Sequence, residues 1–413
     1  MSKRFALPSF RMARVLTIVG AATIASFGLG CGKSSSGPAP SGSASTPEIK
    51  PDAKGIEAAS NDPSLAELTK KALGCKWAVY GFDAKCPELK ALLESEAVRE
   101  GKGDTTLVNF LEDPDEHVRW LGSRTLTQRG KRFRTDKPLA ERIVKVAEAE
   151  KDKAVAQELG GVVGAIKHAE TGLGERIKTM AKSHEVQQMR TSLLARMLFS
   201  NGESLYDFVK DIAMNNKDVI VRKAAISAFW TGTPPTRAAD TCKMWLGFMQ
   251  DPSDDVAGEA AYLCSFYPQN GGCKDEWDPV LDNVEKRAKS GTVKSTQMAS
   301  AMAYLHKQPG ASEAQKKRAV SVARLIAENP ANNGMARGRS IEFVADNDPD
   351  AKKFLEKFKE DADAFVKSRS KELAERPQKK DGDKKEPEKA PNEANKAPAT
   401  PPGKAPAQPA KKP

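Results

Sequence analysis

The stretch 107–130, LVNFLEDPDEHVRWLGSRTLTQRG, limits what this chain can fold into more than any other, because imperfect copies of its grammar recur downstream. Leu107, Phe110 and Leu111 make one apolar face, Asp113-Pro114-Asp115 makes a turn, and Val118, Gly122 and Leu126 make a second apolar face that repeats every four residues. That spacing puts the second set on one side of a helix. Two helices joined in this way cannot bury their own faces, so the hairpin needs neighbours of its own kind. The second-helix anchor returns as Val155 with Leu159 and Val163, Met189 with Leu193 and Met197, Val221 with Ala225 and Phe229, and Val256 with Ala260 and Cys264. Successive anchors, counted from Val118, lie 37, 34, 32 and 35 residues apart, which is the period of stacked helical hairpins. The expected fold class is therefore all-α, an α-solenoid over 61–376, closed at its C-terminal end by one long charged helix across 350–375.

A solenoid of that length accounts for only part of the 413 residues, and the composition agrees: aromatic residues are 6% and mean hydropathy is −0.55, too polar for several large cores. The formal charge of +11 would ordinarily raise nucleic acid as a partner. Its distribution argues otherwise. Four bases (Lys3, Arg4, Arg11, Arg14) lie in an N-terminal segment that reads as removable, and nine lysines face five acids in 377–413. What is left on the folded middle is mildly basic, with no footprint for nucleic acid.

Residues 1–30 read as a signal peptide, with a basic start and an apolar run from Val15 to Gly30 too short for a spanning helix. Gly28-Leu29-Gly30-Cys31 resembles the lipobox of bacterial lipoproteins, which implies that Cys31 is lipidated and becomes the mature N-terminus. Several acyl chains on one cysteine exceed what stable anchoring needs. Ordinary secretion and an uncleaved anchor are the other outcomes such a segment allows. The absence of aspartate at Gly32 implies, by the same resemblance, the outer membrane facing the periplasm. Residues 31–60 have the Ser, Pro, Gly and Ala content of a flexible linker, and 377–413 is a Lys/Pro/Ala-rich tail expected to be disordered.

Asp113-Pro114-Asp115-Glu116-His117-Val118-Arg119 resembles the turn and second-helix start of HEAT repeats, and Asp218 with Val221-Arg222 and Asp251 with Val256 fit the same pattern. The resemblance implies a ladder between adjacent repeats built from Asp113, Arg119, Asp218, Arg222 and Asp251, with Arg190 as a further member. Ala156 and Ala257 occupy the arginine place and interrupt it.

An exported chain can oxidise its thiols. Cys75 and Cys86 flank Trp77, Tyr80 and Phe82. A disulfide there would cap the first repeat and contribute about 3 kcal/mol by restricting the unfolded chain, whereas two free thiols or half a metal site are the alternatives. Cys242 and Cys273 stand near the starts of successive first helices and are placed to staple neighbours, while Cys264 sits on the anchor stripe. Other pairings of these three stay open.

No catalytic constellation, metal set or cofactor site emerges. The four histidines are scattered, His117 is a turn residue, and Gly160-Gly161 with Gly164 lie where close helix packing explains them better than a phosphate cradle. Trp120 and Trp230, with Arg124 and Lys223 beside them, lie away from the anchor stripe and form the candidate binding face, the alternative being that both rings pack on the next repeat. The functional expectation is a non-catalytic, lipid-anchored scaffold binding a protein of the cell envelope. Two other readings are a chromophore- or cofactor-handling enzyme of the HEAT-like lyase type and an envelope spacer whose tail touches the cell wall.

Overall fold

Paired polar residues at the turns decide where many of the second helices begin. In the computed structural model, which describes residues 62–78, 80–267 and 273–376, Asp113 Oδ1 accepts the Asp115 N–H at 2.8 Å and Asp115 Oδ1 accepts the His117 N–H at 2.8 Å. The first bond closes the turn, and the second satisfies a helix N–H that has no partner within the helix. The same two-step arrangement recurs at Glu150 with Asp152, Asn216 with Asp218, and Asp361 with Asp363.

The chain opens with α1 (Pro63–Leu73), an antiparallel ribbon of β1 (Trp77–Ala78) and β2 (Gly81–Phe82), α2 (Pro87–Glu94) and α3 (Glu96–Glu100). Eight hairpins follow among the described residues. They are α4 (Asp104–Phe110) with α5 (Glu116–Arg129), α6 (Lys137–Ala149) with α7 (Lys153–Gly164), and, after the single turn α8 (His168–Thr171), α9 (Gly174–Ser183) with α10 (Gln187–Asn201). Then come α11 (Glu203–Asn215) with α12 (Val219–Gly232), α13 (Ala238–Phe248) with α14 (Asp254–Phe266), and α15 (Trp277–Ser290) with α16 (Thr296–Lys307). The last two are α17 (Glu313–Glu328) with α18 (Gly334–Asn347) and α19 (Ala351–Glu356) with α20 (Ala364–Glu375).

Each first helix packs on its own partner, and the second helices α5, α7, α10, α12, α14, α16, α18 and α20 pack on one another in chain order. This is an α-solenoid, with one layer of first helices and one of second helices. The anchor residues of the second helices, from Val118 and Leu126 to Ala260 and Cys264, are fully or almost fully buried between the layers. Signal segment, Cys31, linker and Lys/Pro/Ala-rich tail lie outside the described residues.

The structure corrects the expectation of one long helix across 350–375. Asp361-Ala362-Asp363 is a turn of the kind found at 113–115: Asp361 Oδ1 accepts the Asp363 N–H at 2.9 Å and Asp363 caps α20. The segment is an eighth hairpin, and its apolar stripe is shared by two helices.

Gly160 and Gly164 mark a close approach of two helices. A Cβ at Gly160 would sit 2.7 Å from the Met189 carbonyl oxygen, and one at Gly164 2.6 Å from that of Leu193. Both glycines lie one turn apart on the face of α7 that meets α10, so small residues are dictated by backbone contact.

Candidate interaction surface

Along the turns, arginines of one hairpin reach the acid of the next. Arg119 Nε donates to Glu150 Oε2 at 2.8 Å while its Nη1 donates to the Asp113 and Pro114 carbonyls of its own turn at 3.0 and 2.8 Å. Arg222 repeats the arrangement with Asp251 Oδ1 at 3.0 Å and the Asn216 carbonyl at 3.0 Å. Arg190 Nη2 reaches the capping Asp218 itself at 3.0 Å, because the residue two places earlier is the neutral Asn216. The acid opposite Arg119 is thus Glu150, whereas the Asp113 carboxylate holds its own turn. Where Ala156 leaves no arginine, His184 bridges instead, with Nε2 2.9 Å from the Ala147 carbonyl and Nδ1 accepting the Val186 N–H at 3.1 Å. Where Ala257 does so, Arg287 of α15 reaches from the first-helix layer to Asp254 at 2.7 Å and the Met249 carbonyl at 2.9 Å.

The four residues singled out from sequence as a binding face are not a set. Trp120 is only 3% exposed. Its Nε1 donates to the Tyr80 carbonyl at 3.2 Å, and its ring meets Trp77 and Phe82 edge-on at 5.7 and 5.6 Å. Gly81, at φ +142°, lets the ribbon pass this close, since a Cβ there would fall 2.2 Å from the indole. Trp120 is the seat of the N-terminal cap. Arg124 is spent on Glu158 at 3.0 Å, a carboxylate that burial pushes upward in pKa against the pull of Arg124. Lys223 stands 3.9 Å from Glu259, which also accepts from Ser227 Oγ at 2.7 Å and from Gln297. Glu158 and Glu259 occupy equivalent places on α7 and α14, so both bases belong to bonds between second helices and offer little to a partner.

Trp230 is the exception, and it has company that the sequence reading passed over. Its ring lies 5.7 Å from Phe266, and Phe266 meets Tyr304 at 4.8 Å. Tyr262 stacks on Phe266 at 5.9 Å and meets Tyr304 edge-on at 5.1 Å. All four are partly exposed, and Phe199, at 53% exposure, is a further exposed ring late in α10, the second helix before α12. The end of α12 abuts it, for a Cβ on Gly232 would lie 2.6 Å from the Phe199 nitrogen. Burial, the Tyr304 hydroxyl and the Glu259 charge hold the Tyr262 phenol above its usual range, so it stays a neutral donor. The row lies near the C-terminal ends of α10, α12, α14 and α16. A signal existed, since Phe199, Trp230, Phe266 and Tyr304 each fall late in the second helix of their repeat.

Cys75 and Cys86 are joined by a disulfide, with Cα atoms 6.0 Å apart, and so are Cys242 and Cys273, with Cα atoms 5.4 Å apart. The first closes the ribbon under Trp120, and the second ties α13 to the entrance of α15. Cys264 is a buried free thiol whose pKa burial raises well above its ordinary value. His117 Nδ1 lies 2.9 Å from the capping Asp115, and its ring sits 4.4 Å from that of Trp77, so it completes a helix cap.

His168 supplies a pH test. Both of its ring nitrogens are buried without a hydrogen-bond partner, and burial, with Lys178 nearby, lowers its pKa from 6.5 to about 4. Between these values the unfolded chain takes up a proton that the folded chain refuses, so stability is present above pH 6.5 and is lost as pH falls toward 4. Subtracting the unfolding free energy of His168→Gln from that of the wild type should give a difference flat above neutrality and falling across that window. Parallel stability curves would contradict the burial of a neutral imidazole.

No family model and no curated protein matches the chain. Among solved structures, a designed armadillo repeat protein shares 15% identity, covering 65% of this chain and 97% of its own, at a TM-score of 0.20. A second designed armadillo repeat protein, in complex with peptide (KR)4, shares 15% identity over 68% of this chain and 98% of its own, at a TM-score of 0.21. At such scores these likenesses carry no weight for function, and the repeat architecture rests on the packing of the hairpins described above.

Proposed function

We propose that the chain is a protein-binding scaffold rather than a catalyst, and that it engages its partner through the aromatic row Phe199, Trp230, Tyr262, Phe266 and Tyr304. One observation carries this reading: four large rings from three successive second helices, Trp230, Tyr262, Phe266 and Tyr304, contact one another and remain partly open to solvent. Rings of this kind give large contact area at small conformational cost, and Trp and Tyr dominate binding energy in protein interfaces. A rigid stack presents them without the ordering cost a loop would incur. The proposed organisation places this solenoid, 61–376, on a lipid-anchored linker beginning at Cys31, in the bacterial cell envelope, with 377–413 as a Lys/Pro/Ala-rich tail. The two disulfides support an oxidising compartment.

Trp230→Ala with Tyr304→Ala should weaken partner binding at least tenfold while leaving the helical signal unchanged, read by titration against the partner identified through crosslinking in native cells. Retained affinity in the folded double variant would remove the aromatic row from the account. Separately, Cys31→Ala should abolish incorporation of a labelled fatty acid, and undiminished labelling would remove the lipid anchor.

A further inference from the structure

Each partly buried arginine of the solenoid can be asked which acid it faces. Among the described residues, those on α5, α6, α10, α12, α15, α17, α18 and α20, together with Arg237, have carboxylates within 4.0 Å, with two exceptions: Arg134 and Arg196. The two exceptions border one corner, where α7 ends. Lys167 N–H donates to the Arg134 carbonyl at 2.8 Å, and the Lys167 ammonium reaches the Ser200 carbonyl at the end of α10. Asn201 ties the same corner together, accepting the His168 N–H at 2.9 Å and donating to the Ile166 carbonyl at 3.1 Å. Arg196 rises from α10 directly over Gly164, where a Cβ would meet its own Cβ at 2.9 Å. Arg134 Nε is buried with no hydrogen-bond partner. Each guanidinium lies against a ring, Arg134 at 5.9 Å from Phe133 and Arg196 at 5.8 Å from the exposed Phe199.

Both guanidinium groups are partly desolvated with no acid of the fold beside them, and burial, followed by the Arg134 charge, lowers the Arg196 pKa. The fold elsewhere answers such arginines with an acid of its own, and here it does not. An incoming anion would relieve the repulsion and meet planar N–H donors suited to a carboxylate.

We propose that Arg134, Arg196 and Lys167 form an anion site that takes an acidic side chain of a bound peptide segment. This rests on the proposed aromatic surface, which supplies the reason for choosing a peptide carboxylate over a free anion: the exposed Phe199, which that proposal counts in the surface, lies 5.8 Å from the Arg196 guanidinium. The segment would place its acid at the arginines and its apolar side chains along Phe199, Trp230 and Phe266.

The test is a random peptide display library selected on the oxidised full chain, followed by titration of the enriched peptides. Peptides with Asp or Glu next to aromatic or aliphatic residues are expected, binding at least tenfold more weakly to Arg134→Gln/Arg196→Gln. That variant should melt at an unchanged or higher temperature, because it removes repulsion; a lowered melting temperature would mean that the arginines are structural and would overturn the site. Enriched peptides without acids, or acidic peptides indifferent to the double variant, would also overturn it. If binding instead falls only in Trp230→Ala/Tyr304→Ala, the aromatic surface stands and the anion site falls. If it falls only in the arginine variant, the reverse holds, and if in neither, both fall. Displacement by inorganic phosphate beyond that by chloride at equal ionic strength would reassign the site to free anions.

Discussion

Arg337→Ala should cost about 3–5 kcal/mol, the range for removing one partner of a buried ion pair. Arg337 is 3% exposed and bonds through all three guanidinium nitrogens: Nε to the Ala327 carbonyl at 2.9 Å, Nη1 to Asp361 Oδ1 at 3.1 Å and Nη2 to Asp361 Oδ2 at 2.5 Å. Burial by itself would raise the Asp361 pKa, and the Arg337 guanidinium with the Asp363 N–H more than reverses it. Removing the arginine leaves a charge and a turn without support at the joint between α18 and α20. Because a solenoid unfolds by units, the loss should appear first as faster amide exchange in α19 and α20, ahead of the rest of the stack. Arg337→Met combined with Asp361→Leu should recover part of the loss, since neither charge is then stranded. Exchange accelerated uniformly along the chain, or a cost no larger than that of Arg222→Ala, would contradict this account of the terminal joint.

The second large effect is expected between α7 and α10. Alanine at both Gly160 and Gly164 should destabilise by up to about 4 kcal/mol in urea melts. Each added methyl meets a carbonyl oxygen at 2.7 or 2.6 Å, and backbone cannot step aside, so the helices must separate. Overpacking of this kind costs about 1–3 kcal/mol per site, and the better helix propensity of alanine returns up to about 1 kcal/mol each. Gly161 is the internal control. A Cβ there meets only the Thr127 side chain, at 3.3 Å, so Gly161→Ala should be neutral or mildly stabilising. Equal effects at all three positions would mean that propensity, not helix contact, governs this stretch.

The repeat was legible because its period is written in buried anchors: Val118, Val155, Met189, Val221 and Val256 all lie in the core. The eighth hairpin was missed for a physical reason. Phe354, Phe358, Phe365, Val366 and Leu373 keep a helical rhythm across the turn, and only Asp361-Ala362-Asp363 betrays the break. The binding face was harder still. Distance from the anchor stripe does not separate a surface residue from one covered by the next element: Trp120 is covered by a ribbon forty residues upstream, and Arg124 and Lys223 by glutamates one repeat on. Trp230 kept its exposure because its neighbours across the stack are rings rather than acids. The pairing of second-helix residues at equivalent places, visible only once the hairpins are aligned in space, is what the linear reading lacked.

The central claim is that partners dock on the aromatic row of the second-helix layer. The most direct measurement is photo-crosslinking in native cells, with a photoreactive amino acid replacing in turn Phe199 or Tyr304, and, as controls on first helices, the exposed Lys145 or Lys243. The account predicts one discrete protein adduct from Phe199 and Tyr304 and none from Lys145 or Lys243. The same adduct from the first-helix positions alone, or equally from both layers, would contradict it.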